Sequence, residues 1–349
     1  MKSFKLILIF VIAALAAGCD KNAAQEKRSR EVVVYAYDSF VAEWGPAPAL
    51  ARLFQEKTGL TVTFIDTGDA VQTLSRGVLE KSSPQADVLL GIDNNMAGLA
   101  RKEGVAEPYT PRDGDAIIPR ELALGDDRLF TPFDWSYFAL IFDSESGIEP
   151  PASLEDLLDP RFRGKLILMD PRTSTPGLGF VAWTAAAFGE GCLDYWKALR
   201  PNILTMAPGW SAGYGLFTQG EAPLVISYTT SPPYHIEYDN TSRYKALIFP
   251  QGHPRQIEAA CLVKGAPNKK GGQAFLDFLI SPEAQAVLPL TQWMYPVNRA
   301  APLPASYSAR ETFIPAGAEV TGLAAVPEEE LAGVVDKVTA LLAGGADAP

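Results

Sequence analysis

The sequence predicts an α/β protein of two lobes joined by several crossing strands. Three observations carry this expectation. Residues 32–91 alternate strand, helix, strand, helix, strand, which implies a parallel sheet with helices on both faces. A second run of buried strands and helices follows after Phe130-Thr-Pro-Phe-Asp134. Pro and Gly are spread along the chain, so no single linker separates the two units. The 349 residues suit two domains. With 47% hydrophobic and 20% charged residues, the composition is globular rather than disordered.

Met1-Lys-Ser-Phe-Lys5 is a short basic segment, followed by an apolar run from Leu6 to Ala14 that is too short for a comfortable membrane span. The run ends in Leu15-Ala-Ala-Gly-Cys19, which resembles the bacterial lipoprotein signal. The expectation is a signal peptide over 1–18, lipidation of Cys19, and a polar tether over 19–30 that leaves the protein exported and anchored by acyl chains. An ordinary secretory signal or an N-terminal anchor is the alternative. The net charge of −11 argues against a nucleic-acid surface.

Along the globular part, Val32–Tyr37 reads as a first strand and Ala47–Thr58 as a helix closed by Gly59. Leu60–Ile65 is a second strand, Val71–Lys81 a helix, and Ala86–Gly91 a third, buried strand. Ligands in such sheets sit beyond the carboxyl ends of the strands. The polar clusters Tyr37-Asp38-Ser39, Thr67-Gly68-Asp69 and Asp93-Asn94-Asn95 all fall there and suggest a lined cleft.

In the second unit, Trp135–Phe142 is a long apolar strand. Ser153 caps a helix over Ser153–Leu158. The strand Lys165–Met169 then leads into Asp170-Pro-Arg-Thr-Ser-Thr-Pro-Gly-Leu-Gly179. Thr175 reads as the N-cap and Pro176 as the first residue of a helix reaching about Phe188. The free amides of that helix start attract a phosphate or carboxylate, and the hydroxyls of Ser174 and Thr175 add donors. A plain strand–turn–helix connection is the alternative for this segment taken alone. Tyr195–Leu199 is helical, and Leu224–Tyr228 is a buried strand ending in Thr229-Thr-Ser-Pro-Pro-Tyr-His235. Gly252–Gln256 reads as a surface turn and Ile257–Val263 as a strand. Gly271–Leu288 is a helix pair broken at Ser281-Pro282, and Pro327–Leu342 is a last helix stopped by Gly344.

Gly209-Trp-Ser-Ala-Gly213 fits the G-x-S-x-G elbow of serine hydrolases, with Ser211 as nucleophile and His235 or His253 downstream. Met206-Ala-Pro208 is a poor approach to such an elbow, because Pro208 cannot donate within a central strand. The chain has no C-x-x-C, and its two histidines give no metal-ligand spacing. Besides Cys19, only Cys192 and Cys261 remain, and they form either one disulfide or two separate buried thiols. Trp210 and Trp293 lie in polar loops bearing Gly or Pro. Such rings suit a flat, cationic ligand through stacking and cation–π attraction, with Asp38, Asp69 or Asp93 as counter-charge.

Taken together, these motifs resemble the periplasmic thiamine-binding proteins of bacterial ABC transporters, within the type II periplasmic binding proteins. The matching segments run in order from about residue 32 to 298. They are Tyr35–Phe40 with Trp44-Gly-Pro46, Asp87–Asn95, Pro132-Phe-Asp134, Asp170–Gly179, Gly209-Trp-Ser211 with Tyr214–Phe217, Ser227–Pro232 with Tyr234-His235, and Trp293–Pro296.

The resemblance implies a type II periplasmic binding protein fold, with lobe 1 over 31–132 and 257–349 and lobe 2 over 133–256. It implies a monomeric solute-binding protein that closes on thiamine or a thiamine phosphate and delivers it to an inner-membrane permease, without a cofactor or catalytic step. By the same match, Ser174, Thr175, Trp210 and Tyr228, Thr229, Thr230, Ser231 and Pro232 fall on ligand positions, as do Asp69 and Ala70. Around the last pair, Gly68-Asp-Ala-Val71 departs from the family pattern, so Ala70 offers only its backbone. Trp135 stands where the family often has Tyr. Tyr37, Asp38 and Trp293 complete the expected lining. The alternatives are a related binding protein for a thiamine precursor, a polyamine or ferric ion, or the hydrolase built on Ser211. Against iron, Tyr228 has no adjacent Tyr.

Overall fold

The computed structural model describes residues 28–309, 313–314 and 318–344. The signal segment, Cys19 and the tether up to residue 27 lie outside the described residues.

The β-branched run Glu31–Ala36 forms β1 (Glu31–Ala36), which ends in the short helix α1 (Asp38–Val41). Helix α2 (Ala47–Thr58) buries Ala47, Leu50 and Phe54, and stops at Gly59, whose φ of 73° is the left-handed conformation that glycine adopts without strain. Then come β2 (Thr61–Asp66), α3 (Ala70–Leu79), β3 (Val88–Asp93), α4 (Ala97–Glu103), β4 (Ala106–Glu107) and α5 (Gly114–Ile117). Strands β2 and β3 both pair in parallel with β1, as the alternation predicts.

The 13-residue β5 (Thr131–Asp143) leads into the second lobe. That lobe holds β6 (Leu166–Met169), α6 (Thr175–Phe188), α7 (Cys192–Leu199), β7 (Ile203–Ala207), α8 (Trp210–Thr218), β8 (Leu224–Tyr228), α9 (Pro232–Tyr238) and β9 (Tyr244–Ala246). The 11-residue β10 (His253–Val263) returns to the first lobe, where α10 (Lys269–Leu279), α11 (Pro282–Gln285), α12 (Leu288–Thr291) and β11 (Tyr295–Pro296) follow. The chain closes with α13 (Ala305–Ser308), β12 (Gly322–Leu323) and α14 (Glu328–Leu342).

The main strand order is β2-β1-β3-β10-β5-β8-β6-β7. The lobes meet inside two long strands. Residues Thr131–Tyr137 of β5 pair antiparallel with β10, whereas Phe138–Phe142 pair with β8. The lobes therefore join where β5 changes partner, between Tyr137 and Phe138. The first-lobe core packs Phe40, Phe54, Phe64, Phe133, Phe275 and Phe278 ring to ring. In the second lobe Phe180 packs edge-on against Trp183 and Trp196.

Four expectations are corrected. Residues Glu155–Leu158 form one 3-10 turn rather than an α-helix. Ser153 Oγ accepts from the Asp156 amide at 3.2 Å, but Pro160 ends the run within a turn. Of the turn expected at Gly252–Gln256, His253–Gln256 is the first part of β10, and Gly252 alone keeps a turn conformation with φ 83°. The turn signal of Pro254 is overridden by pairing with β12 and, from Arg255 on, with β5. His253 is fully buried there. Its Nδ1 lies 2.7 Å from the Phe138 carbonyl and its Nε2 accepts from the Phe249 amide at 2.9 Å, so burial holds it neutral with a pKa of about 4. Helix α14, expected in the first lobe, packs on α6 and α7 of the second, burying Leu331 and Val338. Finally, the α6 N-cap is Ser174 rather than Thr175.

Cys192 and Cys261 are separate, buried free thiols. Burial raises the Cys192 pKa and pushes that of Cys261 up to about 12, so neither is a ready nucleophile. No described helix is long and apolar enough to cross a membrane.

Candidate ligand-binding cleft

The carboxyl ends of β1, β2, β6 and β8 converge on a cavity of about 440 Å³ between the lobes, a size typical of small-molecule sites. From the first lobe, Tyr37, Ser39, Trp44, Asp69, Ala70, Glu258, Gln292, Trp293 and Met294 face it. From the second come Thr175, Pro176, Trp210, Ser211, Tyr214, Tyr228, Ser231 and Tyr234.

Asp69 ties the two walls together. It caps its own helix α3, accepting from the Ala70 amide at 2.6 Å while its backbone amide donates to Gln72. The same carboxylate also reaches across the cleft. The Trp210 amide donates to Oδ2 at 2.9 Å and the Thr175 amide to Oδ1 at 3.4 Å. Those amides open α8 and α6, so a single carboxylate occupies the anion position of two helix starts in the opposite lobe. Burial raises the Asp69 pKa to about 6 against the pull of the Trp210 and Ala70 amides. Gly209 permits this approach, since a Cβ there would stand 2.9 Å from Oδ2. The anion expected for the Asp170–Gly179 turn is thus partly supplied by the protein itself. Ser174 Oγ, beside it, is buried without a hydrogen-bond partner.

The aromatic walls are fixed from behind. Trp210 stacks on Tyr214 at 4.8 Å and 18°, and its Nε1 donates to Ser227 Oγ at 2.8 Å. Trp44 approaches Trp210 from the other lobe at 6.3 Å. Trp293 has φ 60°, a conformation that a bulky residue adopts only where its surroundings hold it, and its ring meets Tyr234 and Tyr238 edge-on. Burial holds the Tyr228 phenol neutral, well above its usual pKa.

The floor is acidic. Glu258 on β10 lies directly opposite Asp93 on β3 and Asp134 on β5. Tyr37 donates to Glu258 Oε2 at 2.8 Å, and Gln292 hydrogen-bonds to the Tyr37 oxygen. Desolvation raises Glu258 and Asp93 to about 7 and Asp134 well above the carboxylate range. Sequence reasoning missed Glu258 and Gln292. The available signal was a glutamate inside an otherwise apolar buried strand.

Of the residues singled out from the sequence, Tyr37, Asp69, Ala70, Thr175, Trp210, Tyr228, Ser231 and Trp293 face the cavity. Ser174, Thr229, Thr230 and Pro232 stand behind this lining. The hydroxyls of Thr229 and Thr230 meet Ser136 Oγ at 3.2 and 2.9 Å, and Pro232 begins α9. Asp38 accepts from the Ser39 amide and neighbours Ser211. Ser211 pairs with no histidine. His235 is engaged by Tyr214 and Asp239, and His253 by Phe138 and Phe249. The G-x-S-x-G segment joins the edge strand β7 to α8, which corrects the hydrolase alternative.

Residues 37–286 match the model of the bacterial extracellular solute-binding protein family. The thiamine-binding periplasmic protein of Brucella melitensis is 39% identical over 308 residues, covering 88% of each chain. That of Escherichia coli is 38% identical over 277 residues, covering 79% of this chain and 83% of its own. A solved periplasmic thiamin binding protein superposes with a TM-score of 0.80 at 34% identity, covering 89% of this chain and 96% of that one. The apo ferric ion-binding protein A of Pasteurella haemolytica shares the fold, with a TM-score of 0.70 at 16% identity.

Proposed function

Because this chain belongs to the bacterial extracellular solute-binding proteins, among the thiamine-binding periplasmic proteins, we propose that its cleft binds thiamine for an ABC importer. It is a binding component rather than an enzyme, and its place is the periplasm. The carrying observation is the pairing of fixed aromatic faces with a buried carboxylate in one interlobe cavity. Thiamine offers a cationic thiazolium, a flat aminopyrimidine and a hydroxyethyl arm that is phosphorylated in some forms. Trp210 and Tyr228 present faces to the rings, and Glu258 presents charge to the cation. The amides of Thr175 and Trp210, with the Ser174 hydroxyl, suit the polar arm once Asp69 shifts. Ligand favours the closed arrangement, which the permease then reads. The Leu15–Cys19 motif supports tethering at the membrane surface through a lipidated Cys19.

Calorimetry tests this reading. Thiamine, its monophosphate and its pyrophosphate are titrated beside spermidine, and at least one thiamine form is expected to bind below about 1 μM and more tightly than spermidine. Binding of all three weaker than about 10 μM contradicts the assignment.

A further inference from the structure

Asp93, Glu258 and Asp134 form a row of three carboxylates on adjacent strands, with Glu258 in the middle and facing the cavity. Directly opposed residues on neighbouring strands hold their Cβ atoms about 5 Å apart. All three side chains are buried, Asp93 and Asp134 completely. Asp93 is satisfied by the Asn95 and Met96 amides. Both oxygens of Asp134 are buried without a hydrogen-bond partner. The groups facing the row come from every packed element: Tyr37 after β1, Asp69 at α3, Tyr228 on β8, Gln256 on β10, Gln292 after α12 and Tyr307 on α13. None of these carries positive charge. Three like charges so close in a dry sheet are not all ionised in the empty protein.

We infer that Glu258, backed by Asp134 and Asp93, reads the positive charge of the ligand, and that a bound cation replaces a proton held by this row. The inference rests on the thiamine reading and deepens it. A proton leaves a carboxyl oxygen for solvent as the thiazolium enters. No covalent bond to the ligand forms, and one positive charge replaces another. Burial raises the pKa of Glu258 and of Asp134, which agrees with this geometry. The row thereby favours a permanent cation over a neutral analogue of the same shape.

Calorimetry in phosphate and in Bis-Tris at pH 6, buffers of different ionisation enthalpy, counts the proton. Thiamine binding is expected to release close to one proton per ligand. Affinity is expected to rise by up to about tenfold per pH unit between pH 5 and 7, then level off. A thiophene analogue, with carbon in place of the thiazolium nitrogen, is expected to release none. Glu258→Gln is expected to weaken thiamine at least tenfold and abolish the release. Asp134→Asn is expected to abolish the release while keeping affinity within a few-fold. Equal enthalpies in both buffers for the wild type, or equal release with the neutral analogue, overturn the inference. Infrared spectroscopy of the wild type serves if a variant fails to fold. A protonated-carboxyl band in the empty protein that disappears on adding thiamine supports the inference, and absence of the band overturns it. Absence of any thiamine binding contradicts the ligand reading instead, and loss of the same band as pH rises then decides whether the row holds a proton.

Discussion

Asp69→Ala is expected to destabilise the protein by about 2–3 kcal/mol and to open it in the absence of ligand. The change removes the N-cap of α3 and leaves the Trp210 and Thr175 amides without their acceptor across the cleft. Thermal unfolding reads the first effect, and small-angle scattering reads the second as a larger radius of gyration. Asp69→Asn separates them. Asparagine caps a helix about as well as aspartate, so stability is largely kept. Its amide group presents one acceptor where the carboxylate uses two, so the clasp weakens and the ligand-free protein still opens. Gly209→Ala gives the same opening from the other wall, because its methyl group meets Oδ2. Unchanged scattering in all three variants contradicts an interlobe role for Asp69.

Trp210→Ala is expected to raise the dissociation constant for thiamine by about 10- to 100-fold, or roughly 1.4–2.7 kcal/mol. The indole is held in place by Tyr214 behind it and Ser227 at its edge, so its face is ready before ligand arrives. Trp210→Phe keeps an aromatic face but loses the bond to Ser227, and its loss of affinity is expected to be smaller. The ring is only partly buried, so little change in unfolding temperature accompanies either substitution. An unchanged dissociation constant for Trp210→Ala removes this ring from the site.

Local chemistry made much of the scaffold readable. The stop at Gly59, the helix start marked by Pro176 and the apolar run Leu224–Tyr228 announce themselves within a few residues. Ser153 and Pro254 misled for the same reason, since their short-range signals were overruled by Pro160 and by strand pairing. Much of the aromatic lining was also legible, because Trp210 and Trp293 stand in polar sequence bearing Gly or Pro, although Trp210 opens α8 and Trp293 is buried. Of the acidic floor, Asp93 was read as a candidate counter-charge, but its grouping with Asp134 and Glu258 was not legible. Asp93, Asp134 and Glu258 are distant in sequence, and only the register of β3, β10 and β5 brings them side by side. Asp69 showed the converse difficulty. A turn residue after β2 reads as a local cap, and nothing within its own segment tells that it reaches α6 and α8 in the other lobe.

The most direct test of the account is a crystal structure of the protein with thiamine. The ligand is expected between the lobes, with a ring against the Trp210 indole and Glu258 as the carboxylate nearest the thiazolium. Thiamine bound outside this cleft, or inside it with the thiazolium turned away from both residues, would contradict it.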